Sequence, residues 1–118
     1  MTTPKVYVTQ EVTHASYSDL ERFGLPIFMT ASEISSTEYS LHNQRLVSIL
    51  RERLTHFDPD TDFIAPSGSP IITGLVFALV SEKTDVFRIL KWNNRDRIYT
   101  KLTIGIKGAT WNNPQLTT

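Results

Sequence analysis

The chain has 118 residues, of which 40% are hydrophobic and 20% are charged, and its formal net charge is zero. This size and composition predict one domain with its own hydrophobic core and exclude an intrinsically disordered chain. Because the sequence contains no cysteine, disulfides, cysteine zinc ligands and thiol nucleophiles are excluded as well. The first residues lack the basic and apolar stretches of a signal peptide, and the longest apolar run, 71–80, is too short to span a bilayer. We therefore expect a cytoplasmic protein that makes no use of a membrane.

The first half of the chain predicts two strands and one long helix. Residues 5–9 alternate in the manner of a strand, a short helical segment ends at Gly24, and a second strand is expected over 27–30. An amphipathic helix follows from residue 41, with Ser40 as its N-cap and a stop at Asp58-Pro59. Its apolar positions recur at steps of three and four: Leu46, Val47, Ile49, Leu50, Leu54 and Phe57.

The second half predicts a central strand, a buried helix and a hairpin. The short apolar run 63–65 is typical of a strand covered on both faces. Pro70 opens a helix whose almost entirely apolar surface over 71–80 indicates deep burial. Residues 86–92 and 98–106 alternate in polarity around the turn-rich tetrad 93–96, so an antiparallel pair is expected.

The element order β-β-α-β-α-β-β predicts a single α/β domain over residues 1–107. We expect a three-layer Rossmann-like sandwich with a mostly parallel central sheet and a C-terminal antiparallel β-hairpin. The alternative is an α+β plate with both helices on one face, since only two long helices are visible. Residues 108–118 have no periodicity and are predicted to form a flexible tail.

The corner between the third strand and the second helix is the first candidate site. Ser67, Gly68 and Ser69 offer two hydroxyls and a close backbone approach at a helix N-terminus, which favours an anion or a nucleotide. Helix initiation alone also explains Ser69 as N-cap and Pro70 as first helical residue. The corner is not a Walker loop or a dinucleotide fingerprint, and its flanks do not match a nucleophile elbow.

The beginning of the long helix is a second source of ligand-binding groups. Glu38, His42 and Arg45 stand there, and if the second strand runs parallel to the third, they share a sheet edge with Ser67, Gly68 and Ser69. Two helix N-termini would then flank one crevice.

The predicted hairpin tip is a candidate protein interface. Trp92, Asn94, Arg95, Arg97 and Tyr99 include the residue types that anchor protein interfaces. Trp92 and Tyr99 can equally cap the core as a cross-strand pair. The surrounding segment 88–107 is basic, but a solvated hairpin face explains it better than nucleic-acid binding.

No catalytic, metal or cofactor site is predicted. Asp58, Asp60 and Asp62 resemble the start of a calcium loop, yet the required glycine and glutamate are missing, so a turn explains them better. The three histidines share no ligand spacing. Without a visible catalytic set, an enzyme is the less favoured class.

Three segments resemble a group of short uncharacterised α/β proteins of tailed bacteriophages: "KVYVTQE", "FDPDTDFIAPSGSPIITGLVFAL" and "RILKWNNRDRIY". No activity is established for that group, and the resemblance implies an accessory role in the host bacterial cytoplasm. We expect a non-enzymatic inhibitor or adaptor that binds a host or phage macromolecule, with a homo-oligomer as a further form of partnership. The alternative is a protein that binds a nucleotide or phosphate ligand through Ser67, Gly68 and Ser69.

Overall fold

The computed structural model describes residues 3–108 and Gln115, and the predicted tail lies mostly outside these residues. Five strands and two α-helices follow the predicted order, with a 3-10 helix, Ser18–Arg22, between the first two strands. The strands are β1 (Lys5–Val8), β2 (Leu25–Phe28), β3 (Phe63–Ala65), β4 (Val86–Asn93) and β5 (Ile98–Gly105); the helices are α1 (Leu41–Arg53) and α2 (Pro70–Val80).

The five strands form one mixed sheet in the order β2-β1-β3-β4-β5. The first four are parallel to their neighbours, and β5 runs antiparallel to β4. The mostly parallel sheet with a C-terminal antiparallel pair is thereby confirmed, and β3 is the central strand, as expected.

The two faces of the sheet carry different layers. Both α-helices pack on the same face, where their apolar side chains form one cluster with Tyr7, Ile64 and Phe87. The other face is covered by the 3-10 helix and its flanks, whose Leu20 packs with Val6. The three-layer Rossmann-like arrangement is not confirmed, because this second face carries no α-helix among the described residues.

The helices are less deeply buried than their sequences indicate. Ser40 accepts a hydrogen bond from the Asn43 N–H, which confirms it as the N-cap of α1, but Ile49 on the same helix is 42% exposed. In α2, Ile72 and Val76 are fully buried while Ile71 is 59% exposed. The expected deep burial of α2 is wrong because the helix touches the sheet on one side only.

Alkaline pH is expected to destabilise the fold through Tyr7. This side chain is 1% exposed and packs edge-on against Phe57, with ring centroids 5.3 Å apart. Burial, helped by the negative charge of Asp62, raises the pKa of Tyr7 to about 12 from 10.0. Stability is therefore fully present below the unfolded-chain pKa and falls as pH rises through the folded pKa.

Urea denaturation between pH 8 and pH 12 checks this prediction with Tyr7→Phe, which cannot ionise. The variant should lose less stability than the wild type above about pH 10, since tyrosine ionises near that pH in unfolded chains. Tyr39→Phe is the matched control, because Tyr39 is 91% exposed. Identical pH dependence in the wild type and Tyr7→Phe would show that Tyr7 plays no part.

Candidate binding pocket

The strand order creates a crevice between the carboxyl ends of β1 and β3. The connection after β1 leads outward to β2, on one side of the sheet, and the connection after β3 leads to β4, on the other side. Connections that leave in opposite directions open a gap where ligands commonly bind in α/β sheets. Because β2 and β3 are both parallel to β1, the ends of all three strands lie along one edge.

A pocket of about 320 Å³ lies at this crevice. It is lined by the segment after β1, by the corner after β3, and by the turn between β4 and β5 together with the strand residues beside that turn. The lining residues are Val12, His14, Ala15, Ser16, Pro66, Ser67, Gly68, Trp92, Asn94, Arg97 and Tyr99. Part of the predicted anion site and part of the predicted interface therefore share one cavity.

The charge of the pocket lining is positive. Arg97 and His14 are the ionisable basic side chains, and no aspartate or glutamate lines the pocket in the described part of the chain. The Arg97 side chain is exposed and has no hydrogen-bond or ion-pair partner among the described residues. Its guanidinium is therefore available to a negatively charged group.

The aromatic wall of the pocket is the cross-strand pair Trp92 and Tyr99. These residues face each other in the β4–β5 register, and their ring centroids are 4.9 Å apart. Tyr99 is only 4% exposed, and burial raises its pKa, with smaller contributions from Tyr17 and Asp19. The pair packs on the core on one side and lines the pocket on the other, so the predicted core contact is confirmed.

The corner at Ser67, Gly68 and Ser69 is built as a helix start. The Ser69 hydroxyl accepts hydrogen bonds from the N–H groups of Ile71 and Ile72, at 3.2 and 3.3 Å, and Pro70 is the first helical residue. Ser69 is confirmed as the N-cap of α2. The N–H groups of Ile71 and Ile72, which an anion would use in the first turn of this helix, are therefore already donated within the chain.

Two residues directly after β1 hold the corner, and sequence reasoning missed both. Thr9 Oγ1 accepts from the Ser67 N–H at 2.8 Å and donates to the Ser67 carbonyl at 2.8 Å. Gln10 Oε1 accepts from the Ser69 N–H at 2.6 Å, and its Nε2 donates to the Ser32 carbonyl at 2.9 Å. The only signal in the sequence was their position at the end of the first predicted strand, which by itself does not identify a partner.

The hydroxyl of Ser67 is hydrogen-bonded to a tyrosine. Ser67 Oγ lies 2.9 Å from the Tyr17 hydroxyl, which also accepts from the Val12 N–H at 2.9 Å. Tyr17, also missed from sequence, thus joins the segment after β1 to the corner. This bond gives Ser67 a structural role and does not activate it as a nucleophile.

The other predicted ligand-binding residues lie outside this pocket. Glu38 lines a separate surface depression of about 370 Å³ around the start of α1. His42 Nε2 bonds the Glu33 carbonyl at 2.7 Å, and Arg45 is exposed on α1. The two helix N-termini share a sheet edge without sharing a cavity. Arg95, from the predicted interface, is exposed next to the pocket but does not line it.

The aspartates of residues 58–62 hold the start of β3 in place. Asp62 is fully buried and accepts from the N–H groups of Lys5 and Asp58, at 2.9 and 2.8 Å. Asp58 Oδ1 accepts from the Asp60 N–H at 2.9 Å. Within the described residues, no group of three or more histidine, aspartate or glutamate side chains could hold a metal ion.

The basic side chains of the C-terminal segment do not form one stripe. Arg88 donates to the Asp60 carbonyl and lies over the Phe63 ring, while Lys107 pairs with Asp85 at 3.8 Å. In the β4 register, Arg88 and Lys91 lie on opposite faces of the sheet. This dispersion does not favour a continuous phosphate-binding surface.

The fold is a small α/β domain with a mixed five-stranded sheet and a pocket at its topological switch point. The family model described as phage Pam3 gp32-like protein matches residues 4–106, and the chain belongs to that family. The resemblance to bacteriophage proteins is thereby confirmed. No curated protein and no solved structure matches the chain. Among the described residues, no helix has the length and apolar character needed to cross a membrane.

Proposed function

We propose that this phage protein is a non-enzymatic binding protein that receives an acidic segment of another protein, from the host or the phage, in the switch-point pocket. The observation that carries the proposal is one cavity that holds both Arg97, which has no side-chain partner among the described residues, and the Trp92–Tyr99 wall, while its described lining holds no carboxylate. Aromatic residues and arginine are the usual energetic anchors of protein interfaces.

The position of the pocket supports a protein partner. Asn94, Arg95 and Arg97 are all exposed at the tip of the β4–β5 turn, so a large partner can contact them at the pocket rim. A cavity of about 320 Å³ is at the small end of ligand sites, which suits one inserted side chain. An acidic side chain would pair with Arg97 while its stem contacts the Trp92 indole.

A nucleotide or phosphate ligand is the second candidate, because the same positive lining also suits a phosphate. The occupied N–H groups weigh against it. Phosphate sites at helix N-termini use free backbone donors, and here Ser67, Ser69, Ile71 and Ile72 donate to side chains of the chain itself.

Site-specific photo-cross-linking during infection tests the protein-binding proposal. A photoreactive residue at position 94, on the pocket rim, should capture one phage or host protein, whereas the same residue at the exposed position 48 on α1 should not. Arg97→Gly should abolish the adduct at position 94. Glycine is the suitable replacement because Arg97 has a positive φ of 56°, which glycine adopts without strain.

Arg95→Ala is the matched control, since Arg95 lies in the same turn outside the pocket lining. It should leave the adduct intact. An adduct that survives Arg97→Gly, or whose cross-linked peptide contains no aspartate or glutamate, would overturn the acidic-segment proposal. Absence of any adduct at position 94 would overturn it as well.

Thermal denaturation with nucleotides and pyrophosphate tests the second candidate. A ligand that binds only the folded state raises the melting temperature with its concentration. If a nucleotide does so for the wild type and not for Arg97→Gly, the pocket is a nucleotide site and the protein-binding proposal fails.

A further inference from the structure

The outer edge of β5 has backbone groups that no described residue pairs. The Ile106 N–H donates to the Asp85 carbonyl at 2.8 Å, in the same register that places Gly105 opposite Val86. Backbone groups in an antiparallel strand alternate between facing the partner strand and facing away. In β5, even-numbered residues therefore bond inward to β4, and odd-numbered residues point outward.

One outward position is closed by the 3-10 helix. The Tyr99 N–H donates to Asp19 Oδ2 at 2.8 Å, and the Tyr99 carbonyl accepts from Arg22 at 2.6 Å. Asp19 and Arg22 also pair with each other at 2.8 Å. The free edge of β5 is thus reduced to Lys101, Thr103 and Gly105, whose outward N–H and C=O groups meet no strand or side chain among the described residues.

The same stretch carries an uncovered apolar face. Leu102 and Ile104 point to the side of the sheet where α1 and α2 lie, because Ile104 stands opposite Phe87, which is part of that cluster. The helices stop at β4, where Phe77 packs on Phe87 with ring centroids 5.2 Å apart. Ile104 and the following Ile106 are 46% and 49% exposed.

We propose that a second copy of this chain pairs with this edge, antiparallel, with Thr103 on the two-fold axis. Lys101 then stands opposite the partner's Gly105, and all three outward-facing residues of each chain exchange backbone hydrogen bonds. Leu102 stands opposite the partner's Ile104, at the close side-chain spacing of a non-hydrogen-bonded pair. Two five-stranded sheets become one continuous sheet, by an isologous contact that closes as a dimer.

The lengths of the free edge and of the strand favour a second copy over an unrelated strand. In this register Tyr99, whose backbone groups are already bonded to Asp19 and Arg22, stands opposite position 107 of the other chain. Position 107 lies beyond the end of β5, which is at Gly105. The cap on each chain therefore stands just outside the paired region. The free edge matches its own copy in length and alternation.

The charge on the edge also fits the two-fold register. A lysine on a sheet edge discourages indiscriminate pairing, and the two Lys101 residues would repel if they stood opposite each other. With Thr103 on the axis they are offset by four residues, roughly 13 Å at the usual strand rise. That distance exceeds the Debye length of about 8 Å at physiological ionic strength.

Sedimentation equilibrium of the full chain tests the proposal, which does not rest on the pocket. The wild type should have twice the 13.4 kDa chain mass, whereas Thr103→Pro and Ile104→Lys should have the chain mass. Proline at 103 removes an outward N–H that no described residue accepts, so the circular dichroism spectrum should be unchanged and thermal unfolding should remain cooperative. Ile49→Lys is the matched control, since Ile49 is a similarly exposed isoleucine on α1.

The expected result is a dimer in the wild type and Ile49→Lys, and a monomer in the other two variants. Amide hydrogen exchange should show protection of Lys101, Thr103 and Gly105 that disappears in Ile104→Lys. A wild-type monomer at every attainable concentration would overturn the proposal, as would a dimer unaffected by both substitutions. Protected amides in a monomer would show that another part of the chain covers the edge, and would overturn it too.

Discussion

Asp62→Asn is expected to lower the free energy of unfolding by about 3 kcal/mol, because removing one partner from a buried charged hydrogen-bond network leaves the others unsatisfied. The Asp62 carboxylate is fully buried and accepts from the Lys5 and Asp58 N–H groups and from the Thr61 hydroxyl. Its Oδ2 also lies 3.5 Å from Lys5 Nζ. An asparagine amide can supply one oxygen, and its NH₂ group would face donors.

Asp60→Asn is the control, since Asp60 is an exposed carboxylate in the same loop. It should change stability by less than about 0.5 kcal/mol, as surface substitutions usually do. Equilibrium urea denaturation of both variants at pH 7 measures the difference. Equal midpoints for Asp62→Asn and the wild type would mean that the buried carboxylate is not needed to hold β1 and β3 together.

The parts of the fold that depend only on residues close together in the sequence were predictable. Ser40 and Ser69 were recognisable as helix caps because capping depends only on the neighbouring backbone. The hairpin was recognisable because its two strands alternate around a short turn. In each case the information lies within a few residues of chain.

The layer arrangement was not predictable by the same means. An apolar helix such as α2 looks buried on all sides, but its exposure depends on whether another element covers its outer face. The sequence of residues 71–80 does not indicate that the outer side of α2 is uncovered, although Ile71 on that side is 59% exposed. Strand order and the placement of both α-helices on one face are likewise long-range properties.

The residues of the candidate pocket were predictable in the same way, but their arrangement in space was not. Ser67, Gly68, Trp92, Asn94, Arg97 and Tyr99 were selected from sequence as members of two separate sites, and the fold brings them into one cavity. Glu38, His42 and Arg45 were grouped with the corner on a correct inference about parallel strands. They remain separate because a shared sheet edge does not fix the direction of the loops that follow it.

The residues that organise the corner were missed because their partners are distant in sequence. Gln10 and Ser69 are 59 positions apart, and Thr9 and Ser67 are 58 apart. Thr9 and Gln10 look like an ordinary polar strand end until β1 is placed beside β3. Their role also explains Gly68 differently. The sequence indicated a glycine that lets a ligand approach the backbone, whereas in the structure the group close to the Gly68 backbone is the Gln10 side chain.

Gly68→Ala is therefore expected to destabilise the protein by about 3 kcal/mol, from a left-handed backbone and a displaced side chain together. Gly68 has a φ of +77°, where a side chain costs roughly 1–2 kcal/mol. A Cβ at this position would also stand 2.0 Å from Gln10 Oε1, which must then leave the Ser69 N–H. An unsatisfied donor adds about 1–3 kcal/mol.

A double-mutant cycle with Gln10→Ala separates these two contributions. Shortening Gln10 removes the obstacle but not the backbone strain, so the double variant should be more stable than the sum of the single losses predicts, by about 1 kcal/mol or more. Gly74→Ala is the matched control, because nothing lies within 4 Å of a Cβ there and alanine favours the helix interior. It should stabilise the protein slightly.

Urea denaturation of the four chains in the cycle and of Gly74→Ala measures all the terms on one scale. If the two losses were simply additive, the contact between Gln10 and position 68 would carry no energy, and the glycine would be required for its backbone angle alone. If Gly68→Ala were as harmless as Gly74→Ala, the corner would have to be held by the Thr9 bonds to Ser67 without help from Gln10.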